Sequence, residues 1–509
     1  MSKLEKVLIA NRGEITVRVL RTLREQGIRS AVVFSEPDRG SLPVRLADEA
    51  YCIGPAPSSE SYLRAEAIVD LAKEIGAEAI HPGYGFLSEN ADFSRRCRDA
   101  GVIFIGPSPE AIEAMGKKIE SRRLMIEAQV PVVPGGTDPL ATAADAKEAA
   151  DAIGYPVMLK ASAGGGGKGM RLVSSADELE SAYRAATSEA GASFGDSSVY
   201  VEKFIVNPRH VEIQILGDSH GTVVSLGERE CSLQRRHQKV VEEAPSTVVD
   251  GDLRRRMGEA AVKAGQAVGY EGAGTVEFLL DASGDFYFLE MNTRLQVEHP
   301  VTELVTGADL VEEQLRIAAG GRVSERLHDV QPEGHAIEGR LYAEDPFRGF
   351  APSPGTVTSV RWPSGPGVRN DVGVQSGSEV TIHYDPMLAK LIVWGEDRAQ
   401  ALRRFERALH ELQITGVKTT APLFRALLQD EDFLSANMDI GMLDRKLADG
   451  ELQDPDALEE PGDELFIAAA LVDRRGHSGA ASAPPVGSGE SLRHRWRVVA
   501  RREAVGGGH

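Results

Sequence analysis

Hydrophobic residues in the first hundred positions occur in short runs that alternate with longer amphipathic stretches. The apolar segments KVLIAN, SAVVFS, EAIHPG and VIFIGPS are separated by stretches such as 14–26 and 62–75, which follow a helical period. This alternation predicts a parallel sheet built from βαβ units. The segments NRG at 11–13 and HPGYGFLSEN at 81–90 follow predicted strands, and open α/β sheets bind ligands at the carboxyl ends of their strands. We therefore expect part of a binding site there.

Residues 199–300 show a different pattern, that of a mostly antiparallel sheet. The segment RHVEIQIL alternates strictly, so we expect its polar residues His210, Glu212 and Gln214 on one face and its apolar residues against the core. A similar mixture of strands (AIEGRLYA, EVTIHY, LAKLIVWG) and one helix (DRAQALRRFERALHEL) fills residues 335–446.

The segment SLQRRHQKVV is interpreted with the same period of two. As one continuous strand, it places His237 and Lys239 on one face and Gln234 on the opposite face.

Composition and charge narrow the function classes. The chain has 509 residues, 42% of them hydrophobic and 26% charged, as in ordinary globular proteins. A formal net charge of −20 argues against general nucleic-acid binding, which needs Lys and Arg to neutralise phosphates. No apolar run is long enough for a signal peptide or a membrane span, so we expect a cytoplasmic protein without a membrane partner. The three cysteines form no CxxC motif, and neither disulfides nor a zinc site is predicted.

The segment MLKASAGGGGKGM at 158–170 is a candidate phosphate-binding loop, because glycine lets backbone N–H groups close round an anion. It lacks the Walker pattern, since Lys168 is followed by Gly169 instead of Ser or Thr. Apolar segments on both sides predict strand, loop, strand, which fits a lid over a nucleotide. The alternative is a mobile glycine linker.

The segment GTVEFLLDASGDFYFLEMN predicts a hairpin that turns through 282–285. This hairpin places Glu277 across from Glu290, with Asn292 further along the same face. Two like charges about 5 Å apart are destabilising, so a cation should lie between them. Carboxylate and amide oxygens suit Mg²⁺ or Mn²⁺. The alternative is a surface hairpin with two solvated glutamates.

Three alternating polar residues follow directly: Arg294, Gln296 and Glu298. A cation, an amide and a carboxylate on one face could hold a small oxyanion and remove its proton. Together with the metal pair and the glycine loop, they indicate a site where an acid is phosphorylated by ATP.

Several long motifs resemble a known family. The segments YPVMLKASAGGGGKGM and FLEMNTRLQVEHPVTE resemble the signatures of ATP-grasp enzymes. With IANRGEI, HPGYGFLSEN, NPRHVEIQ and ERECSLQRRHQKVVEEAP, the chain is similar to biotin carboxylase over residues 3–446. The resemblance implies an α/β and α+β fold of three domains, usually a homodimer. It divides the chain into a βαβ domain (1–114), an ATP-grasp domain (115–332, with a lid at about 131–204), a C-terminal mixed domain (333–446) and a tail (447–509).

The resemblance also implies the ligands of individual residues. The ATP phosphates would be held by Lys118, Lys160, Gly164, Gly165, Gly166, Gly167, Lys168, Gly169 and Met170. The adenine and ribose would contact Glu202, Lys203, Ile205, Leu279, Ile440, His210, Gln234 and His237. Magnesium or manganese would be bound by Glu277, Glu290 and Asn292. Bicarbonate would be bound by Lys239, Arg294, Gln296 and the Val297 backbone, with Glu298 as its base.

By the same resemblance, bicarbonate attacks ATP to give carboxyphosphate, which releases CO₂ beside biotin. Arg340 would stabilise the biotin enolate, and Tyr84 would lie near the biotin ring. Arg340 stands in IEGRLYAEDP, where Glu338, Arg340 and Tyr342 should share a face. The family often has cysteine where Gly339 stands, and this position should alternate away from the site.

The chain contains no tetrapeptide resembling Ala-Met-Lys-Met, on which this family carries biotin. We therefore expect biotin on a separate carrier protein, and the carboxyltransferase on another polypeptide. This indicates the biotin carboxylase component of an acyl-CoA (acetyl-CoA or propionyl-CoA) carboxylase built from several subunits, or of a two-subunit pyruvate carboxylase. The alternatives are another ATP-grasp ligase and a non-catalytic assembly subunit. The basic terminal segment WRVVARREAV is a candidate docking element for the partner.

Overall fold

The alternating pattern of the N-terminal hundred residues folds, as predicted, into a parallel sheet with the strand order β3-β2-β1-β4-β5. The computed structural model describes residues 4–136, 139–161, 170–194 and 196–457. The five strands are β1 (Lys6–Ile9), β2 (Arg29–Ser35), β3 (Glu49–Gly54), β4 (Ala79–His81) and β5 (Ile103–Phe104). The helices are α1 (Gly13–Glu25), α2 (Leu42–Leu46), α3 (Ala65–Glu74), α4 (Ala91–Asp99) and α5 (Pro109–Gly116).

The loops that follow β1 and β4 lie together, as the rule for open sheets predicts. The Asn11 amide donates hydrogen bonds to the carbonyl oxygens of Pro82 and Tyr84, both at 2.7 Å. These bonds fix the loop after β4 at one edge of the sheet.

A small antiparallel sheet with the order β7-β6-β8 lies within residues 131–204, the region predicted to be a lid. Its strands are β6 (Val157–Ala161), β7 (Met170–Val173) and β8 (Val199–Lys203). The helices of this region are α6 (Lys118–Glu127), α7 (Ala143–Ile153) and α8 (Ala176–Phe194). Val157, Leu159 and Val201 are buried against α7 and α8, so this unit has its own small core.

The largest sheet is antiparallel throughout and has the order β13-β12-β9-β10-β11-β14-β21-β19. Its strands are β9 (Arg209–Gly217), β10 (Val223–Arg235), β11 (Gln238–Ala244), β12 (Gly272–Leu280), β13 (Phe286–Asn292), β14 (His335–Tyr342), β19 (Val368–Val372) and β21 (Met387–Gly395). Helices α9 (Gly251–Ala267), α10 (His299–Thr306) and α11 (Leu310–Ala318) accompany it. Since β11 pairs with β14, the sheet joins the predicted ATP-grasp and C-terminal regions directly.

The C-terminal region adds short strands and four helices. The strands are β15 (Glu344–Asp345), β16 (Ala351–Pro352), β17 (Gly355–Thr356), β18 (Ser359–Arg361), β20 (Glu379–Val380) and β22 (Gln413–Thr415). The helices are α12 (Arg398–Glu411), α13 (Ala421–Leu427), α14 (Glu431–Leu434) and α15 (Met442–Ala448). The predicted strand EVTIHY is thus reduced to the two residues of β20.

The alternation of RHVEIQIL is confirmed. Val211, Ile213 and Ile215 pack in the core with α9, whereas Glu212 and Gln214 make polar contacts on the opposite face. Both faces are buried, so this strand separates an apolar core from a polar interior.

The interpretation of SLQRRHQKVV as one continuous strand is wrong. Strand β10 ends at Arg235 and β11 begins at Gln238, so the chain reverses through Arg236 and His237, whose φ angles are +47° and +67°. The reversal pairs Gln234 directly with Lys239 and leaves His237 exposed in the turn. Directly paired residues face the same side, so Gln234 and Lys239 share a face. Two left-handed residues in succession usually require Asn or Gly, which this turn lacks.

No helix in the described ranges combines the length and apolar character needed to cross a bilayer.

Candidate active site

The hairpin formed by β12 and β13 places the two predicted metal-binding carboxylates opposite each other. Glu277 pairs with Glu290 in the strand register, which confirms the predicted geometry of the hairpin. The Asn292 amide donates to Glu277 Oε1 at 2.9 Å, so it also lies on this face. Glu277 is buried and Glu290 is exposed, which orients the pair along a line from the interior to solvent.

Protein cations surround Glu277 more closely than Glu290. Lys239 Nζ lies 2.9 Å from Glu277 Oε1, and His210 Nε2 lies 3.0 Å from Oε2. Burial opposes ionisation of Glu277, but these two groups outweigh it and hold its pKa well below the ordinary value. Desolvation by the protein atoms around its carboxyl group and the Glu277 charge together raise the pKa of Glu290, with Lys118 as the main compensating charge.

This arrangement fits a divalent cation. An incompletely compensated carboxylate, a second carboxylate and an amide oxygen are hard donors of the type that Mg²⁺ and Mn²⁺ prefer. Within the described ranges, the closest sets of metal-capable side chains are His210 with Glu212 and Glu277, and Glu212 with Cys231 and Glu298. Neither set includes Glu290, so the metal role of Glu277, Glu290 and Asn292 stays a prediction.

Lys239 lies at the centre of the site. Its ammonium group is 2.5 Å from Glu212 Oε2, 2.6 Å from Glu298 Oε1 and 2.9 Å from Glu277 Oε1. Three carboxylates share this one ammonium group. A cation or a strong hydrogen-bond donor entering beside them would therefore be stabilised.

Glu298 is fully buried at the start of α10, between two cations. One carboxylate oxygen faces Lys239, and the other lies 3.0 Å from Arg340 Nη2. Burial alone would raise its pKa, but the charges of Lys239, Arg340 and Arg229 overcome this effect and hold the pKa well below the ordinary value. Glu298 is therefore an anion at neutral pH, as a proton acceptor must be.

Arg340 links this base to a second buried acid on the neighbouring strand. Its Nε donates to Glu242 Oε1 at 2.6 Å. Burial raises the pKa of Glu242 to about 7, because the nearby charge of Glu298 offsets part of the stabilisation from Arg340. Gly339 points away as predicted, since a Cβ atom there would lie 2.9 Å from Phe405 Cζ. The ring of Phe405 occupies the space that a side chain at this position would need, and glycine has no side chain to clash with it.

Arg294 is held by side chains from the loop after β4 and from its own segment. Its guanidinium donates to Glu89 Oε2 at 2.8 Å, to Gln296 Oε1 at 3.1 Å and to Asn292 Oδ1 at 3.1 Å. Glu89 belongs to the segment HPGYGFLSEN, so this loop lies at the site, as its place after β4 predicts. In the same loop, the Tyr84 hydroxyl donates to the Glu14 carboxylate.

The predicted nucleotide-binding residues lie on the lid and around it, and their ligand roles stay predictions. Lys160 and Arg122 both pair with Glu202, the latter at 2.9 Å. Lys203 Nζ donates to the carbonyl oxygens of Gly154 and Tyr155 at 2.9 and 3.0 Å, so its side chain is occupied within the lid.

The remaining residues of this set fall in several places. Lys118 begins α6, Gln234 Nε2 lies 3.3 Å from His210 Nδ1, and His237 is exposed in the turn between β10 and β11. Three apolar residues of the predicted nucleotide-binding set are partly exposed: Ile205, Leu279 and Ile440. The predicted loop residues Gly164, Gly165, Gly166, Gly167, Lys168 and Gly169 lie outside the described residues. Lys160 and Met170, which flank that loop, are paired in register.

Sequence reasoning assigned no role to a buried charge pair behind the site. Arg229 is fully buried and donates to Glu212 Oε1 at 2.5 Å, to Gln214 Oε1 at 2.7 Å and to Thr275 Oγ1 at 3.0 Å. This network fixes the second oxygen of the carboxylate that contacts Lys239. The alternation of RHVEIQIL placed Glu212 on the correct face, but no local pattern identified Arg229 as its partner.

Comparison with known proteins identifies the family of the chain. Residues 3–112 match the family "Biotin carboxylase, N-terminal domain", residues 117–326 match "Carbamoyl-phosphate synthase L chain, ATP binding domain", and residues 338–445 match "Biotin carboxylase C-terminal domain". A biotin carboxylase of Nostoc sp. is 54% identical over 436 residues, which cover 86% of this chain and 98% of the relative. The chain belongs to the biotin carboxylase family.

Other members of the biotin carboxylase family differ in the complexes they serve. A pyruvate carboxylase subunit of Methanothermobacter thermautotrophicus is 52% identical, over 88% of this chain and 91% of that protein. The mitochondrial propionyl-CoA carboxylase alpha chain of Rattus norvegicus is 49% identical, over 92% of this chain and 65% of that protein.

A solved biotin carboxylase domain carries the ligands that the sequence predicts for this chain. The domain belongs to the 2-oxoglutarate carboxylase of Hydrogenobacter thermophilus and was solved as a dimer with MgADP, ADP and bicarbonate. It matches with a TM-score of 0.80 and 48% identity, over 88% of this chain and 98% of that one. The predicted three-domain ATP-grasp architecture and the enzyme class, an ATP-dependent ligase, are confirmed by family membership.

Proposed function

We propose that this chain carboxylates biotin on a separate carrier protein, with ATP and bicarbonate, as the biotin carboxylase component of an acyl-CoA carboxylase built from several subunits. The proposal rests on one observation: Glu298 lies between the charged groups of Lys239 and Arg340. This set of ion pairs is beside the paired carboxylates Glu277 and Glu290. This arrangement combines an ionised base, cations for a small anion and ligands for a metal–nucleotide complex in one connected cluster of side chains.

Bicarbonate is the anion that these side chains suit. Lys239, Arg294, Gln296 and the Val297 backbone hold it, and Glu298 accepts its proton. When the anion shares Lys239, the carboxylate of Glu298 loses part of its compensating charge, so its pKa rises toward that of a useful base. An oxygen of the deprotonated acid then bonds to the γ-phosphorus of ATP, the bond from that phosphorus to the β–γ bridging oxygen breaks, and ADP leaves.

ATP is positioned by both the ATP-grasp core and the lid. Lys118, Lys160, Lys168 and the glycine backbone at 164–169 neutralise the phosphates, and Met170 flanks them. Glu202, Lys203, Ile205, Leu279, Ile440, His210, Gln234 and His237 surround the nucleoside. Glu277, Glu290 and Asn292 would hold Mg²⁺ or Mn²⁺, which when bound draws negative charge from the phosphate oxygens.

Arg340 and Tyr84 form the biotin side of the pocket. Arg340 is paired with two carboxylates, so its guanidinium is fixed in position and can stabilise negative charge on the ureido oxygen of biotin. Tyr84 is fixed by its hydrogen bond to Glu14 and would lie near the biotin ring.

The proposed partners are those expected of the family to which the chain belongs, and one solved relative is a dimer. A biotin carboxyl carrier protein delivers biotin, a carboxyltransferase receives the carboxyl group, and the chain forms a homodimer. The 52% identical pyruvate carboxylase subunit supports a second candidate, the same role in a two-subunit pyruvate carboxylase.

Phosphate release by the purified chain tests the function, with and without bicarbonate and free biotin, alongside transfer of labelled bicarbonate to biotin. We expect bicarbonate-dependent ATP cleavage and labelled carboxybiotin. Cleavage that is indifferent to biotin would point to another ATP-grasp ligase, and an inactive chain that co-purifies with partners would point to an assembly subunit. Carboxylation of acetyl-CoA, propionyl-CoA or pyruvate by the reconstituted complex identifies the acceptor.

Removal of residues 458–509 tests the role of the tail in docking. Helix α15 runs to Ala448 and Leu452 is buried in the C-terminal core, so a truncation after residue 457 leaves that core intact. We expect unchanged turnover of free biotin and weaker co-purification with the carrier and transferase. Unchanged association would exclude the docking role.

A further inference from the structure

A buried lysine that the proposed reaction does not use supports the turn before Glu298. Lys390 of β21 is fully buried and lies opposite Arg340 in the register of β14 and β21. Its ammonium donates to the carbonyl oxygen of Val297 at 2.7 Å. That carbonyl belongs to the peptide group joining Val297 to Glu298, so Lys390 acts directly on the backbone that carries the base.

Helical hydrogen bonds hold the carbonyls on either side of this peptide. The Gln296 carbonyl accepts from the His299 N–H at 3.3 Å and lies 2.8 Å from His299 Nδ1, and the Glu298 carbonyl accepts from the Val301 N–H at 3.3 Å. These contacts act on the neighbouring carbonyls, whereas the bond from Lys390 acts on the Val297 carbonyl itself and is short and charge-assisted. The lysine is therefore a direct restraint on the orientation of this peptide.

Two carboxylates supply the opposite charge that a buried ammonium needs. Glu14 Oε1 lies 3.4 Å from Lys390 Nζ, and Asp371 Oδ2 lies 3.8 Å away. Asp371 is itself paired with Arg369 at 2.8 Å, and Glu14 accepts the hydroxyl of Tyr84. Lys390 thus connects the peptide before Glu298 with the pair that fixes Tyr84.

We propose that Lys390 is a positioning residue for the bicarbonate step, an inference that rests on the proposed function. By holding the Val297–Glu298 peptide, it keeps the Glu298 carboxylate between Lys239 and Arg340 and keeps the Val297 backbone oriented toward bicarbonate. The nucleotide-binding residues lie on other elements, so its removal should affect bicarbonate use without affecting nucleotide affinity.

The substitution Lys390→Met removes the ammonium and retains the length of the side chain. We expect kcat/KM for bicarbonate in ATP cleavage to fall by up to roughly 100-fold, the scale of a small misplacement of a reacting group. The Kd of ADP should be unchanged. Lys6→Met is the matched control, because Lys6 also donates to a backbone carbonyl, that of Ile75 at 2.8 Å, and pairs with a carboxylate.

The outcomes separate the inference from the proposed function. Wild-type protein without bicarbonate-dependent ATP cleavage would overturn the proposed function. Active wild type together with an unchanged kcat/KM for bicarbonate in Lys390→Met would overturn the positioning role alone, and so would an equal loss of ADP affinity. If the unpaired carboxylates prevent folding, the double substitution Lys390→Met and Asp371→Asn, which removes one of them, is judged by the same criteria.

Discussion

Arg340 Nη2 lies 3.0 Å from Glu298 Oε2, and the two groups form a buried ion pair. Because Lys239 contacts the other oxygen of Glu298, both oxygens of this carboxylate have a cationic partner before any substrate enters. Its low pKa in this state makes it a poor proton acceptor. Under the proposed function, bicarbonate would compete for Lys239, and this competition would couple anion binding to activation of Glu298.

Replacement of the base gives the most direct test. Glu298→Gln keeps the shape and the hydrogen-bond acceptor but removes the site for the proton. Positioned proton transfer contributes about 100-fold to 10,000-fold, so we expect bicarbonate-dependent phosphate release to fall by at least about 100-fold. Glu228→Gln is the matched control, since Glu228 is a buried carboxylate paired with Arg254. A rate retained in Glu298→Gln would remove this residue from the chemistry.

Arg340→Ala should separate the two half-steps of the reaction. Lys239 still contacts Glu298 in this variant, so ATP cleavage is expected to persist better than carboxylation of biotin. The measurement is the ratio of carboxybiotin formed to phosphate released, which should fall. Arg398→Ala serves as control, because Arg398 forms a similar pair with Glu243, the residue next to the Arg340 partner Glu242. A parallel loss of both activities would assign Arg340 to the phosphorylation step instead.

Glu242 should make the protein less stable as pH rises toward neutrality. Its pKa is about 7 in the folded state and about 4.5 in the unfolded chain, so the folded state binds the proton more tightly. The stabilisation is complete below pH 4.5 and is lost as pH rises through 7. The difference between the two pKa values corresponds to about 3 kcal/mol in the free energy of unfolding. Thermal denaturation at pH 5 and pH 8 should show wild type losing stability relative to Glu242→Gln.

The pKa of the neighbouring residue Glu243 predicts the opposite pH dependence of stability. Glu243→Gln therefore serves as the control for Glu242→Gln. Burial would raise the pKa of Glu243, but Arg398 and His335 lower it to about 2. Its stabilisation is present above pH 4.5 and is lost as pH falls through 2. The substitution Glu243→Gln should therefore lessen acid sensitivity, whereas Glu242→Gln should not. The same pH trend in both variants would contradict these assignments.

The fold follows from the hydrophobic pattern wherever one face of an element is apolar. Strand β3 was not predicted, because EAYCIG alternates weakly between polar and small residues and owes its pairing to β2. The β12–β13 hairpin was predicted since Asp281 to Asp285 supply turn residues, whereas the turn at Arg236 and His237 has no such residues. Its left-handed backbone is a property of the folded pair of strands.

The candidate site was predicted incompletely for a related reason. Charged residues usually face solvent, so Arg229, Glu242 and Lys390 carried no signal as buried groups. Their burial depends on partners from distant strands, such as Glu212 for Arg229 and Arg340 for Glu242. Local periodicity gives the face on which a side chain lies, but the complementary charge across the sheet becomes visible only in the three-dimensional structure.

Replacement of Glu290, the exposed carboxylate of the Glu277–Glu290 pair, should have different effects on nucleotide affinity with and without the metal. An ionised Glu290 carboxylate has the same sign of charge as Glu277 and as nucleotide phosphates, so without a metal it should oppose nucleotide binding. With Mg²⁺ present, the same carboxylate should become a ligand and increase affinity.

Glu290→Gln is therefore expected to weaken MgADP binding by at least about 10-fold, since loss of even an outer-shell partner commonly has that effect. In the absence of Mg²⁺ the variant should bind ADP as well as wild type or more tightly, because one negative charge near the phosphates is gone. Titration calorimetry with and without Mg²⁺ measures both affinities. Glu259→Gln, on the exposed side of α9, should change neither. Equal effects with and without Mg²⁺ would show that Glu290 acts on the protein or the nucleotide directly, and the metal would have to be placed elsewhere.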